Sequence, residues 1–278
     1  MSKENPDLFG TQKYQKLLAK VYNDLGENYD RFSKANIDAE KYYLMAINTD
    51  PDYGKPYFNL ANFELKYKVD MESAKNNYLQ AEERGFVNDR LNYNLGWIYF
   101  KQEDYIESFK RINRLLEKYP ENSNLKFFLG TIFYKLENFD FAEGFLLEVY
   151  TYFNNLKQIY APLEMDVKED RTIVDMLFKV LNNLGAAYQK KFEKTRNSKY
   201  LVWATKYYSE SMEYYDKLKE YPLELEKREE ELSEAEIKLK KFEITKATQN
   251  LRMVLYPDAG KDEPIIFEDF SLDYESSL

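Results

Sequence analysis

One short motif recurs along the chain and constrains its fold more than any other feature. A leucine is followed by a small residue, and a large residue returns one helical turn later. It reads Leu60-Ala61, Leu95-Gly96 with Tyr99, Leu129-Gly130 with Phe133, and Leu184-Gly185 with Tyr188. The first three copies are spaced near 34 residues apart. A second series keeps the same period: Ala39, Ala74, Ser108 and Ala142 recur at intervals of 35, 34 and 34. Four residues on come Tyr43, Tyr78, Ile112 and Leu146, then Ala46, Ala81, Leu115 and Val149. Helical spacing within each element and a fixed offset between elements define a repeat of two helices. A small residue at a helix crossing lets two backbones approach, and the large residues a turn away fill the neighbouring groove. One such pair cannot bury its own apolar face, so it stacks on the next. With only 9 Gly and 8 Pro in 278 residues, little interrupts helix anywhere. No alternation of the kind a sheet needs is present.

The segment "AEKYYLMAINTDP" (39–51) and the segment "LGWIY" (95–99) together resemble the two halves of the tetratricopeptide repeat (TPR) family pattern. Pro51 and Pro120 close two of the units, and Gly96 is then a packing glycine rather than a phosphate-binding one. The resemblance implies an all-α, TPR-like right-handed helical solenoid. After an N-terminal segment (1–10), the solenoid is expected over 11–219, with units at 11–52, 55–86, 89–120, 123–156 and 171–219. Long connections are expected within the first unit at "GENYDRFSKAN" (26–36) and within the fifth at "FEKTRNSKY" (192–200). Between the fourth and fifth lies an insertion, 157–170, expected to bulge as a loop.

Past Pro222 the pattern changes. The stretch 220–256 reads as one long C-terminal helix that covers the last repeat, with a coiled coil to a partner as the alternative. The irregular tail (257–278) carries six acidic residues between Asp262 and Glu275, interleaved with Phe267, Phe270 and Tyr274. Docking in its own groove, self-association through a neighbour's groove, and a free recognition segment all stay open for it.

Composition excludes several chemistries. With no Cys and no His, the chain has no thiolate nucleophile, Ser-His-Asp triad, Cys/His zinc site or imidazole acid–base group. The stretch "NTDPDYG" (48–54) hints at a calcium loop, but its glycine falls at the seventh position and Asn59 stands where the closing Glu belongs. No phosphate-binding loop motif occurs, so no cofactor, metal or catalytic residue is expected. A net charge of −9 argues against a general nucleic-acid binder. The N-terminal residues have no apolar leader pattern, and no run of about 18 apolar residues appears, so the chain reads as soluble and cytoplasmic.

In TPR proteins the first helix of each unit lines a concave groove. Carried over by register, the resemblance implies Lys13, Lys16 and Lys20 in the first unit, and Lys55, Phe58, Asn59 and Asn62 in the second. The third supplies Arg90, Tyr93, Asn94, Trp97 and Lys101, and the fourth Phe127, Thr131, Tyr134 and Lys135. The fifth adds Lys179, Asn182, Asn183 and Lys190. Asparagine amides can hold a peptide main chain, cations attract carboxylates, and rings supply contact area. The expected function is a non-enzymatic interaction scaffold that binds a partner segment rich in acidic or aromatic residues. The alternative is a structural subunit of a larger assembly, such as a bacterial motor or envelope complex, built through its convex face, insertion and C-terminal region.

Overall fold

The computed structural model describes residues 12–32, 37–160 and 167–220, together with Asn250 and Ile266. The expected N-terminal segment, capping helix and tail lie outside the described residues, apart from Glu220, Asn250 and Ile266. Among the described residues there are ten α-helices and no strand. They are α1 (Gln12–Phe32), α2 (Ile37–Thr49), α3 (Gly54–Phe63), α4 (Met71–Glu83), α5 (Asp89–Lys101), α6 (Tyr105–Lys118), α7 (Ser123–Lys135), α8 (Phe139–Tyr160), α9 (Val167–Thr195) and α10 (Ser198–Glu220). A π-helical turn, Glu64–Lys68, extends α3. The chain forms two compact bodies, residues 1–104 and 105–278. In the N-terminal body α1 packs on α2 and α3 on α4; in the C-terminal body α7 packs on α8 and α9 on α10.

The second-helix series explains this pairing. Ala39, Ala74, Ser108 and Ala142 are fully buried, as are the large residues four positions on and the third set at Ala46, Ala81, Leu115 and Val149. Ala204, Tyr208 and Ser211 continue the series in α10. Opposite them sit the small residues of the first helices. A Cβ added at Gly130 would stand 2.8 Å from Leu146 Cγ, and one at Gly185 would stand 2.5 Å from the Tyr208 ring. Ala61 and Tyr78 share one buried cluster with Leu91, Leu95 and Ile98.

The first pair departs from the expected register. Its crossing glycine is Gly26, where an added Cβ would fall 2.5 Å from the ring of Tyr43. Residues 26–32, expected in a connection, are helix, and α1 runs on to Phe32. The step is Leu25-Gly26 with Tyr29, the same pattern as Leu95-Gly96 with Tyr99. Two other expected loops contain helix at both ends. The stretch 192–200 holds Glu, Lys and Arg and no breaker, so α9 continues to Thr195 and α10 starts at Ser198. The insertion 157–170 is taken up by α8 as far as Tyr160 and by α9 from Val167, with Pro162 in the sequence between them.

The short turns repeat as faithfully as the crossings. After α5, Glu103 takes a left-handed conformation (φ 62°), and its N–H and that of Asp104 donate to Phe100 and Tyr99 carbonyls at 3.1 and 2.9 Å. After α7, Glu137 (φ 56°) and Asn138 do the same to Tyr134 and Phe133 at 3.0 and 2.9 Å. These bonds satisfy the last carbonyls of each first helix and reverse the chain. Asparagines then cap the next first helices: Asn88 Oδ1 accepts from Leu91 N–H at 2.7 Å and Asn122 Oδ1 from Leu125 N–H at 2.9 Å.

Glycine substitutions should separate crossing positions from ordinary ones. Gly26→Ala and Gly185→Ala should each cost about 1–3 kcal/mol in chemical denaturation, because a buried tyrosine ring has to move. Gly144→Ala in α8, where an added Cβ meets nothing within 4 Å, should instead stabilise by about 0.5–1 kcal/mol. Equal effects at the three sites would contradict the crossings described.

Candidate functional site

Once Gly26 is set in line with Ala61 and Gly96, Lys20 keeps the register place of Lys55 and Arg90, and Glu27 takes that of Asn62 and Trp97. Lys13 and Lys16 therefore lie in the first turns of α1, ahead of the crossing, and are exposed, as is Lys20. Sequence reasoning missed Asn23 and Glu27, although the Leu25-Gly26 step was the signal that would have found them.

The N-terminal body joins several of the expected groove residues into two hydrogen-bonded groups. The Asn59 amide donates to Asn23 Oδ1 and to Glu27 Oε1, both at 2.8 Å. The Asn23 amide donates to the same Glu27 oxygen at 2.8 Å, and the Lys55 ammonium reaches it at 2.6 Å. Burial pushes the Glu27 carboxyl up, but the bonds from Lys55, Asn23 and Asn59 outweigh it, and its pKa lies below the usual value. Lys55 loses charge stabilisation by burial and regains more from Glu27, so its pKa is raised.

One helix along, the Tyr78 hydroxyl donates to Asn62 Oδ1 at 2.7 Å and accepts from the Asn94 amide at 2.7 Å. The Asn94 amide also reaches Asn62 Oδ1 at 3.2 Å. Tyr78 is the residue that fills the crossing against Ala61, so one side chain serves the core with its ring and the groove side with its hydroxyl. Burial raises its pKa, which keeps the hydroxyl protonated and able to donate. Asn94 Oδ1 and Arg90 Nε are buried and make no hydrogen bond among the described residues.

The rings divide differently from expectation. Phe58 belongs to the core, 5.9 Å from the Tyr78 ring and 5.1 Å from Phe86. Tyr93 is buried, while Trp97 is half-buried with the Lys101 ammonium 6.0 Å from its ring centre.

In the C-terminal body the expected groove residues are mostly covered. Phe127, Thr131 and Tyr134 of α7 are buried, and Lys135 is half-buried. Thr131 Oγ1 turns back to the Phe127 carbonyl at 2.9 Å. In α9, Lys179 is buried beside Asp175 at 2.8 Å, and the half-buried Lys190 pairs with Glu193 at 3.1 Å. Asn182 and Asn183 are buried, with the Asn182 amide 3.3 Å from Asn183 Oδ1. Here too the crossing tyrosine bonds a first-helix side chain: Tyr208 donates to the buried Gln189 Oε1 at 3.0 Å. Asn250, far along the chain, donates to Asn182 Oδ1 at 2.9 Å.

Among the described residues, no cluster of three or more acidic side chains is placed to hold a metal ion. Nor is any described helix long and apolar enough to cross a membrane.

No protein-family profile matches the chain, and neither does any curated protein. Solved structures do match. YrrB, described as a TPR protein with an unusual peptide-binding site, is 18% identical, with a TM-score of 0.51, 70% of this chain covered and 90% of that one. MamA is 15% identical, with a TM-score of 0.51 and coverage of 74% and 96%. At these identities the likeness concerns architecture: the fold is an all-α helical repeat of the TPR type.

Two variants test the N-terminal series. Tyr78→Phe should destabilise by about 1–3 kcal/mol in chemical denaturation, because the Asn62 and Asn94 amides lose a buried partner while the ring still fills the crossing. For Glu27 the folded pKa is depressed, so its contribution is full above the ordinary value of 4.5 and is lost as pH falls through the lower folded value. Glu27→Gln should therefore lose stability at neutral pH and narrow its deficit against the parent as the solution is acidified below 4.5. A deficit that widens on acidification would contradict the assignment.

Proposed function

We propose that the chain is a non-catalytic protein-interaction scaffold whose N-terminal body holds an extended segment of a partner protein on the face formed by α1, α3 and α5. The observation that carries this reading is two hydrogen-bonded groups of amides on these helices, Asn23 with Asn59 and Asn62 with Asn94. Asn59 and Asn62 are half-buried and held in place by their neighbours, while Asn23 and Asn94 are buried. Fixed amides donate to and accept from a peptide main chain without reading its sequence closely, and preorganisation lowers the entropy cost of binding. Trp97 adds a ring beside them for one apolar or aromatic side chain. The described peptide-binding site of YrrB is in keeping with this role.

An acidic partner segment is the narrower form of the proposal. Lys55 already holds the Glu27 carboxylate at 2.6 Å, so an acidic ligand has to displace it. Removing that carboxylate should then strengthen binding of an acidic segment and weaken binding of a neutral one that relies on the ordered amides.

The second reading, a structural subunit, draws on exposed apolar residues of the second helices. Phe141 on α8 is 58% exposed and Val202 on α10 is 68% exposed, with Ile106 on α6 and Leu44 on α2 also open. Such residues suit a contact made away from the first-helix face.

Site-specific photo-cross-linking in the native cell separates the two. A photoreactive residue in place of Asn62 should capture a partner, and Asn59→Ala or Asn94→Ala should weaken that capture several-fold. Capture from position 141 and none from position 62 would favour the structural subunit.

A further inference from the structure

Gly26, Gly130 and Gly185 each stand at a crossing that a neighbouring helix already fills, and Gly144 of α8 does not. It lies inside a long helix, where glycine weakens the helix and no close contact in the body calls for it. Around it is a surface hollow of about 370 Å³, lined by Asp140, Phe141, Gly144, Phe145 and Glu148. Phe141 is 58% exposed, yet both rings are fixed by Phe133, whose centre lies 5.1 Å from that of Phe141 and 5.7 Å from that of Phe145 in stacked geometry. A second hollow, about 390 Å³, shares Glu148 and continues along α8 to Tyr152, also exposed, and Asn155. From Phe141 to Asn155 the two span about 21 Å of helix.

The charge of this face is one-sided. Three carboxylates, Asp140, Glu148 and Glu121, line the two hollows, against one cation, Lys126. Lys126 binds Glu148 at 2.9 Å, and Lys191 of α9 binds Asp140 at 2.6 Å. In both pairs the lysine is the covered member, with side chains 16% and 13% exposed, whereas those of Glu148 and Asp140 are 58% and 84% exposed. Each carboxylate therefore keeps outward lone pairs for a second cation. Phe109 of α6 closes the ring stack 5.4 Å from Phe133, and the adjoining Lys110 is held by Glu107.

We propose that the outer face of α8 from Asp140 to Tyr152 is a docking surface for one basic amphipathic helix of a partner protein. The proposal rests on the second reading above, that of contacts made through the second helices. The partner helix crosses α8 at Gly144, where the missing side chain lets the backbones approach as they do at the filled crossings. A leucine or aromatic side chain of the partner enters the hollow between Phe141 and Phe145. Lysines or arginines one turn to either side of it face Asp140 and Glu148, which lie two turns apart on α8. Stacking on Phe133 holds the two rings in place, so little rotamer freedom is lost on docking. The apolar row at helical spacing is the pattern by which a groove takes a helix, and the carboxylates select its charge. The same carboxylates disfavour an acidic segment and an anionic lipid surface.

The full-length chain tests this against a fluorescent helical peptide of about 18 residues, or five turns. The peptide carries leucine at its centre and along one face, with lysine one turn to either side of the centre. A control peptide carries glutamate in place of those lysines. The lysine peptide should bind by fluorescence anisotropy and the glutamate peptide should not. Gly144→Gln, which fills the hollow with a good helix former, should weaken binding roughly tenfold or more while leaving the circular dichroism and the denaturation midpoint undiminished. Asp140→Asn with Glu148→Gln should weaken it several-fold and flatten its salt dependence. Unchanged binding by Gly144→Gln, equal binding of the two peptides, or binding of neither would overturn the proposal. A parent chain that is dimeric by light scattering and becomes monomeric on Phe141→Ser would make the occupant a second copy, which also overturns it. Photo-cross-linking in the cell from position 141 to a partner, with no binding of the lysine peptide, would leave the structural-subunit reading standing and overturn the basic helix alone.

Discussion

Everything else in the two bodies depends on how closely paired helices approach at a single point. Gly26, Gly130 and Gly185 each leave space that the facing side chain already fills, and a methyl group there would overlap Tyr43, Leu146 or Tyr208. That approach brings the flanking large residues into contact and fixes which face of each first helix is left for other work. A repeat of this kind has no deep central core to absorb an error. Its stability is the sum of such crossings and the interfaces between neighbouring repeats.

The crossing also couples the core to the groove. In α4 and α10 the residue that fills it is a tyrosine, and its hydroxyl emerges beside the first-helix amides, at Asn62 and Asn94 in one case and at Gln189 in the other. A tyrosine at this place performs two tasks that a leucine, as at Leu146, cannot combine. The ring packs, and the hydroxyl orders a polar side chain that would otherwise sample several rotamers. The aromatic richness of the chain is thus partly spent on ordering polar groups.

Much of this was legible in the sequence, because the crossing residues are few in kind and recur at a fixed spacing. The period found Ala39, Ala74, Ser108 and Ala142, and all four are buried. The expectation and the structure part at the first unit. A connection over 26–36 puts Gly26 outside the helix, whereas α1 runs on to Phe32 and Gly26 meets Tyr43. The Leu25-Gly26 step with Tyr29 carried the correct answer. At 192–200 the expected connection is short, since no Gly or Pro interrupts α9 before Thr195 or α10 after Ser198. Lysine counting misled in a different way. Charge is visible in a sequence, but its partner is not, and Lys55, Lys179 and Lys190 each have a carboxylate within 3.1 Å. The contact of Asn250 with Asn182 was not legible at all, since it joins positions 68 apart in the chain.

The central claim is that the Gly26 crossing sets Asn23 and Glu27 against Asn59 and so orders the first-helix face proposed to hold a partner. A double-mutant cycle between Glu27→Ala and Asn59→Ala, read by chemical denaturation at neutral pH, tests it most directly. The account predicts that the two changes are non-additive, with a coupling of about 0.5–3 kcal/mol. Additivity to within about 0.3 kcal/mol would mean that the two side chains do not meet, and would contradict the register on which the groove is built.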